Sequence, residues 1–454
     1  MPREATLTNG PVGRTLFSLT GPMVAGLFAI TTFNLADTYF VAQLGTKELA
    51  AMSFTFPVVM FVVSITLGLG MGTASVVSRA IGEGDSHKVQ RLTTDSLILC
   101  LLIVATFSIV GIATIEPLFT LLGATPETLP LIKSYMTVWY VGMVFVVIPM
   151  VGNNAIRATG DTKYPSLVMM LGAVINIILD PFLIFGWGFF PRLELFGAAL
   201  ATVISRAVTM GAAILILHFR DKMLVFAVPR LREVWSSWKR ILHIGIPAAA
   251  TNVLVPISVG VITRMVACFG EEAVAAAGAG SRIGGFALLL LIALCSVMVP
   301  FVGQNWGARR LDRILAARKC SFRFSILWGV VCVVVLGIAA KPLAGLFSED
   351  AQVTEKIALY LWIVPIGYGL QGIFRLTTMI FNGISLPLHS VGLNLARMLV
   401  LYIPLAYLGG RLFGFEGILG GVTLANVSAG ILSLILLKYV LANVNAKGSG
   451  PGAS

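Results

Sequence analysis

The sequence predicts an all-α integral membrane protein of twelve transmembrane helices in two pseudo-symmetric six-helix bundles. Three observations support this fold class: the composition, the length of the apolar segments, and an internal repeat at half the chain length. Of the 454 residues, 57% are apolar and 11% charged, against about 45–50% and about 25% in typical soluble domains. With a mean hydropathy of +0.93, most of the chain requires lipid rather than water around it.

Charged or turn-rich clusters divide the chain into twelve apolar spans. They cover residues 15–42, 50–77, 93–115, 130–156, 164–188, 196–219, 240–267, 273–302, 320–340, 354–381, 388–410 and 416–441. Each span reaches the roughly 20 residues of a transmembrane helix and exceeds the length of a barrel strand. Because a helix satisfies its own backbone hydrogen bonds in lipid, each span is predicted as one helix. We expect the first span itself to direct insertion, since no short cleavable signal segment is evident.

The two halves of the chain repeat each other at an offset of 225 residues. The most telling matches are Pro22/Pro247, Gly45/Gly270, Pro117/Pro342, Tyr135/Tyr360 and Gly142/Gly367. Six spans in each half give both halves the same orientation in the membrane. The predicted organisation is an N-terminal lobe over 1–219, a cytoplasmic linker over 220–239, a C-terminal lobe over 240–442 and a disordered tail over 443–454.

The positive charge of the chain indicates topology and not nucleic-acid binding. The net charge is +12, but 21 of the 32 Lys and Arg residues lie at the termini and in the connections between even and odd spans, against six on the opposite side. The positive-inside rule then places both termini in the cytoplasm, in a multi-pass protein of the cytoplasmic (inner) membrane.

The chain has five cysteines, an odd number without paired spacing. They predict neither a disulfide framework nor a metal site.

Two acidic residues, Asp37 and Asp180, fall inside apolar spans. A carboxylate at membrane depth costs at least about 2.5–3.5 kcal/mol, so it faces a cavity, pairs with a cation or holds a proton. The repeat partner of Asp37 is Ile262, and Asp180 aligns near Ile403. The chemistry therefore breaks the symmetry, and we predict the ion site in the N-terminal lobe. An ion pair with Arg206 or Arg375 is the alternative.

Polar side chains near the two acids extend this predicted site. Asn176 lies four residues before Asp180 and Asn34 one turn before Asp37, which places each pair on one helix face. Thr202 and Tyr135 could add hydroxyl groups to the same cavity. Plain interhelical hydrogen bonding is the alternative for Asn34, Asn176, Tyr135 and Thr202.

Other patterns bear on mechanism. Pro22 removes a helix hydrogen bond and allows a bend in the first span, although prolines are common in membrane helices. The sequence contains no phosphate-binding loop, no nucleophile elbow and no zinc-protease pattern, and its four histidines lie at span ends. We therefore predict no catalytic residues, no enzyme activity and no cofactor. An ion gradient would have to drive any transport.

Several segments together resemble the multidrug and toxic compound extrusion (MATE) family, and within it the DinF-like branch. They are Thr20-Gly-Pro22, Asn34-Leu-Ala-Asp37-Thr-Tyr-Phe-Val-Ala-Gln-Leu-Gly45, Ala158-Thr-Gly-Asp161, Asn176-Ile-Ile-Leu-Asp180-Pro181 and Gly197-Ala-Ala-Leu-Ala-Thr202. The resemblance spans about residues 10–442 and implies a V-shaped pair of lobes with cation-coupled export of cationic or amphipathic drugs.

By position, the resemblance implies roles for individual residues. Asp37, Asp180, Asn176 and Thr202 would form the proton or sodium site, with Tyr135 nearby and Pro22 as the bending point. An acidic residue in the seventh helix, used by another branch of the family, is missing, since 242–267 contains none. The coupling site is therefore predicted wholly in the N-terminal lobe.

The predicted function is a secondary antiporter that exports amphipathic organic cations in exchange for protons, with sodium as a substitute. Asp37, Asp180, Asn176, Thr202 and Asn34 would couple the ion, and Asp37, Tyr135, Asn176 and Asp180 would contact substrate. We expect a monomer in the bilayer with small-molecule partners and no nucleic acid. The rival is a flippase for lipid-linked or other amphipathic precursors, which five intramembrane arginines keep open: Arg206, Arg264, Arg282, Arg375 and Arg397.

Overall fold

The computed structural model describes residues 5–188, 190–227 and 230–446, and within these ranges the regular structure is entirely helical. The helices are α1 (Val12–Ala42), α2 (Thr46–Glu83), α3 (Ser86–Leu121), α4 (Leu129–Ala158), α5 (Lys163–Phe185), α6 (Glu194–Leu215), α7 (Leu231–Ala267), α8 (Glu271–Gly307), α9 (Leu311–Gly345), α10 (Ala351–Ile363), α11 (Tyr368–Gly383), α12 (Pro387–Leu395) and α13 (Ile403–Ala446). The predicted all-α membrane fold is confirmed.

Short irregular turns join some helices into single spans. A 3-10 turn, Val364–Gly367, connects α10 to α11, and a π-helical turn, Ala396–Tyr402, connects α12 to α13. Among the described residues, eleven continuous helical segments are long and apolar enough to cross a membrane. The last of these, Pro387–Asn443, contains non-helical backbone at Phe413 and Gly414, so it supplies two of the twelve predicted spans.

The chain divides into two compact units. Unit 1 contains the described residues up to Thr6 together with Leu19–Ala249, and unit 2 contains Leu7–Ser18 with the described residues from Ala250 onward. The change from one unit to the other therefore falls inside α1 and inside α7. Residues 220–239, expected as a linker, include the start of α7 at Leu231. The tail predicted as disordered over 443–454 is wrong for residues 443–446, which form the last turn of α13, and its remainder from 447 lies outside the described residues.

The internal repeat governs where helices begin and end. The first residue of α8 lies 225 positions after that of α2, and the first residue of α9 lies 225 positions after that of α3. The last residues of α1 and α7 have the same offset. In unit 1, a Cβ atom on Gly68 would lie 2.5 Å from the carbonyl oxygen of Gly245, so only glycine permits this approach of α2 to α7.

The outer surface of the helices is apolar. Large apolar side chains such as Ile338, which is 80% exposed, cover it, as lipid contact requires.

Candidate functional site

Two carboxylates lie buried in unit 1. Asp37 on α1 is 7% exposed and Asp180 on α5 is 0% exposed. They are close enough for their charges to act on each other. In each, the Oδ1 atom is buried without a hydrogen-bond partner among the described residues, and no described side chain forms an ion pair with either acid. The alternative in which Arg206 or Arg375 neutralises one of them is therefore not found.

Asn176 connects Asp180 to α6. The amide orientation that satisfies both ends lets Asn176 donate to Asp180 Oδ2 at 3.0 Å and accept from the backbone N–H of Thr202 at 3.2 Å. In the opposite orientation its nitrogen lies 3.4 Å from Thr202 Oγ1 and its oxygen faces Asp180. An oxygen facing a carboxylate oxygen requires a proton or a cation between them.

Tyr135 on α4 completes the buried group. Its side chain is 6% exposed, and the charges of both Asp37 and Asp180 act on its phenol. The structure thus brings Asp37, Asp180, Asn176, Thr202 and Tyr135 together from α1, α4, α5 and α6. Carboxylate, amide and hydroxyl oxygens are the donors that suit a hard cation such as sodium.

Asn34 does not join this group. It lies one turn before Asp37 on α1, but its side chain is exposed, whereas Asp37 is buried. A separation of three residues turns the helix by about 300°, which leaves the two side chains about 60° apart. That angle is enough to carry Asn34 out of the buried cluster.

Two further buried acids were missed in the sequence analysis. Asp95 on α3 is 0% exposed and accepts two hydrogen bonds from Arg91, the shorter at 2.6 Å. Asp221 is likewise 0% exposed and pairs with Arg220. The i, i+4 spacing of Arg91 and Asp95 is the signal that could have found the first pair. Both acids are neutralised locally, which sets them apart from Asp37 and Asp180.

Three arginines of the spans have neighbours within their own units. The guanidinium of Arg206 stacks over the Phe33 ring at 5.3 Å. In unit 2, Arg397 donates to Asn426 Oδ1 at 2.9 and 3.2 Å and lies over the Phe374 ring at 5.1 Å. Arg375 acts on Arg397 electrostatically, and its buried Nε has no hydrogen-bond partner among the described residues.

No carboxylate is available to these two arginines within the helices of unit 2. Its acidic residues all lie at helix ends or in loops: Glu271, Glu272, Asp312, Glu349, Asp350, Glu355 and Glu416, the last beside the break in α13. Two guanidinium groups, Arg397 over aromatic rings and Arg375 with a buried Nε that no described residue accepts from, form a site suited to an anion.

Known proteins resemble the chain over nearly its whole length. The MatE family model matches residues 22–182 and again 247–408, two segments that begin 225 residues apart. A FAD transporter of Shewanella oneidensis is 40% identical over 97% of both chains. The multidrug export protein MepA of Staphylococcus saprophyticus is 26% identical over 92% of both.

Solved structures agree with the sequence relatives. The crystal structure of the Vibrio cholerae MATE transporter VcmN in its bent form covers 96% of this chain and 98% of its own, with a TM-score of 0.91 and 30% identity. The family assignment made from the sequence is confirmed, while the DinF-like branch stays a prediction. The chain therefore belongs to the MATE family of membrane transporters.

Proposed function

We propose that the protein is a secondary antiporter of the cytoplasmic membrane in which Asp37 and Asp180 carry the coupling ion, a proton or alternatively sodium. The observation that carries this proposal is the pair of buried carboxylates in unit 1, neither of which forms an ion pair with a described side chain. Buried charge without a partner is costly, so the pair gains free energy by binding a proton or a cation. Asp95 and Asp221 are already neutralised by Arg91 and Arg220, so binding an ion would not stabilise them in the same way.

Competition for this negative charge is sufficient for antiport. A proton, a sodium ion and an organic cation would each neutralise the same two carboxylates, and exchange follows if each occupied state favours a different facing of the transporter. Asn176 can assist the binding of either a proton or sodium. Its N–H donates to Asp180 in one amide orientation, and its oxygen is available to a bound sodium in the other.

Pro22 supports a mechanical link between this site and the rest of α1. A proline at position 22 leaves the carbonyl of Ser18 without its helical hydrogen bond. Ser18 is also the last residue of α1 that belongs to unit 2, and Leu19 is the first that belongs to unit 1. We infer that α1 bends here when Asp37 exchanges its ion.

The substrate class has two candidates. The multidrug relatives and the acidic site favour amphipathic organic cations. The FAD transporter relative and the pair Arg375 and Arg397 favour an anionic amphipath such as a flavin dinucleotide or a lipid-linked phosphate. In the second case the carboxylates of unit 1 still carry the coupling ion and the arginines hold the substrate.

Transport into proteoliposomes tests both the coupling ion and the substrate class. Purified protein is reconstituted, and uptake of a fluorescent organic cation and of FAD is measured under a proton gradient alone, a sodium gradient alone and no gradient. We expect uptake of one of the two compounds to follow a gradient, and the effective gradient identifies the ion. Equal uptake in all three conditions would contradict ion coupling.

We also propose that both termini face the cytoplasm, and that the transporter works as a monomer. Lysine-selective and cysteine-substitution labelling on intact cells should mark Lys47 and Arg411→Cys from outside. Arg310→Cys and both termini should react only after permeabilisation. Labelling of Lys47 only from the cytoplasmic side would reverse the orientation.

A further inference from the structure

A cavity of about 400 Å³ lies at the end of unit 1 where α3 and α7 begin. Four cationic side chains line it: Lys88 and Arg91 from α3, and Arg232 and Arg240 from α7. His87 and the hydroxyl of Ser236 border the same space. This cavity is separate from the Asp37 site and has no part in the proposed ion exchange.

The cavity keeps an excess of positive charge. Lys88 pairs with Glu83, and Arg91 with Asp95. Neither Arg232 nor Arg240 forms an ion pair or a side-chain hydrogen bond with any described residue. Glu233 is the acid among the lining residues, so it offsets at most one of these two free guanidinium groups.

The repeat shows what occupies the corresponding place in unit 2. Arg313, the counterpart of Lys88, donates to the backbone carbonyls of Leu7, Asn9 and Gly10 at 2.7–3.1 Å. These carbonyls are free because the chain there is not yet α-helical, since α1 begins at Val12. In unit 2 the polypeptide itself therefore supplies the acceptors for the cation.

Unit 1 lacks these acceptors for a structural reason. The counterpart of residues 7–10 is 232–235, which lies inside α7. Helical carbonyls are used by the N–H groups four residues later, as when the Glu233 carbonyl also takes a bond from Ser237. The place that the carbonyl oxygens beside Arg313 fill in unit 2 is therefore an open cavity in unit 1, and Lys88 pairs with Glu83 instead.

Exposed apolar side chains next to the cavity indicate that it lies at the membrane surface. Leu231 is 87% exposed and Trp235 is 68% exposed, on the same turns of α7 as Arg232 and Ser236. Trp238 is held by a hydrogen bond to the carbonyl of Asp95. Exposed tryptophan beside basic residues is typical of the boundary between lipid tails and headgroups.

We propose that this cavity binds the phosphate headgroup of an anionic phospholipid, with Arg232 and Arg240 as its charged ligands and Leu231 and Trp235 against the acyl chains. The phosphate supplies the acceptors that residues 7–10 supply in unit 2. Guanidinium groups bind phosphate through paired hydrogen bonds, so two free arginines suit this ligand.

Native mass spectrometry of the purified full-length protein tests the site. Phosphatidylglycerol is titrated into the wild type, into Arg232→Gln/Arg240→Gln and into the charge-matched control Lys319→Gln/Arg323→Gln on α9, outside the cavity. We expect the first double variant to lose affinity at least about tenfold and the control to match the wild type. Arg232→Lys/Arg240→Lys, which keeps the charge, should retain most of the affinity.

Two further ligands separate lipid from soluble phosphate. Phosphatidylcholine at the same concentration should bind weakly, and glycerol phosphate or inorganic phosphate in excess should not displace phosphatidylglycerol. Displacement by a soluble phosphate would overturn the lipid proposal, as would equal affinity in wild type and Arg232→Gln/Arg240→Gln. The measurement is independent of transport, so its failure leaves the proposed antiport untouched.

Discussion

The fifth span of unit 1 buries Asp180, whereas the fifth span of the second half, built from α12 and the turn after it, carries Arg397. Each charge is held by a single amide, Asn176 for Asp180 and Asn426 for Arg397. Each also has a second charge of its own sign within electrostatic range, Asp37 in one case and Arg375 in the other.

The repeat specifies the backbone and not the chemistry. Helix boundaries follow the 225-residue offset closely, because they depend on apolar length and on capping at the membrane surface. The buried charges do not follow it, because a charged side chain needs only one suitable partner and can change sign when that partner does. Two copies of one scaffold thus carry buried charges of opposite sign.

Removing the acidic charge should have the largest effect. Asp37→Asn keeps the shape of the side chain and mimics its protonated form, so we expect gradient-driven export to fall to background, and Asp180→Asn to weaken it strongly. Export is measured in proteoliposomes at matched protein amounts. Glu271→Gln, an exposed acid of unit 2, is the control and should change little. Wild-type rates in Asp37→Asn would remove Asp37 from the coupling site.

Removing the basic charge should separate the two substrate candidates. Arg375→Gln/Arg397→Gln should reduce FAD export at least about tenfold, since hydrogen bonds to charged groups are worth about 1.5–3 kcal/mol, and should leave cation export unchanged. Arg282→Gln, an exposed arginine of α8, serves as the control. If both substrates are exported at wild-type rates by the double variant, the arginines of unit 2 have no substrate role.

Asn176 allows a finer test within the acidic site. Asn176→Leu removes the hydrogen bond to Asp180 and the oxygen available to sodium, while it keeps a side chain branched at Cγ. We expect about a tenfold loss of sodium-driven export and a smaller loss of proton-driven export, because a proton needs no oxygen ligand from Asn176. Asn34→Leu, exposed on α1, is the matched control. Equal losses under both gradients would contradict the proposed sodium ligand.

Pro22→Ala should have the smallest effect of the four. Alanine restores the hydrogen bond to Ser18 and stiffens α1 where it passes from unit 2 to unit 1, so we expect export to fall severalfold with no loss of folded protein. Thermal unfolding of the purified variant should occur at or above the wild-type temperature. Unchanged export would make Pro22 a packing residue.

Composition and helix periodicity were enough to predict part of the candidate site. Asp37 and Asp180 were identified because a carboxylate inside an apolar span is rare and costly. Asn176 was identified because a spacing of four residues shares a helix face. The spacing of three between Asn34 and Asp37 gave the wrong impression of a shared buried face, and Asp95 was missed because it lies near the end of its predicted span.

The apolar spans, the repeat and the depth of the two acids follow from the amino-acid sequence, because they depend on apolar length along the chain. Local spacing shows which acid has a cation one turn away, but whether a cation from another helix reaches a buried acid depends on packing. Asp95 and Asp180 are equally buried, yet Arg91 lies one turn from Asp95 while an amide lies one turn from Asp180. Whether a buried charge is neutralised depends on the groups that packing brings within about 4 Å, and packing joins residues far apart in sequence, such as Asn176 and Thr202.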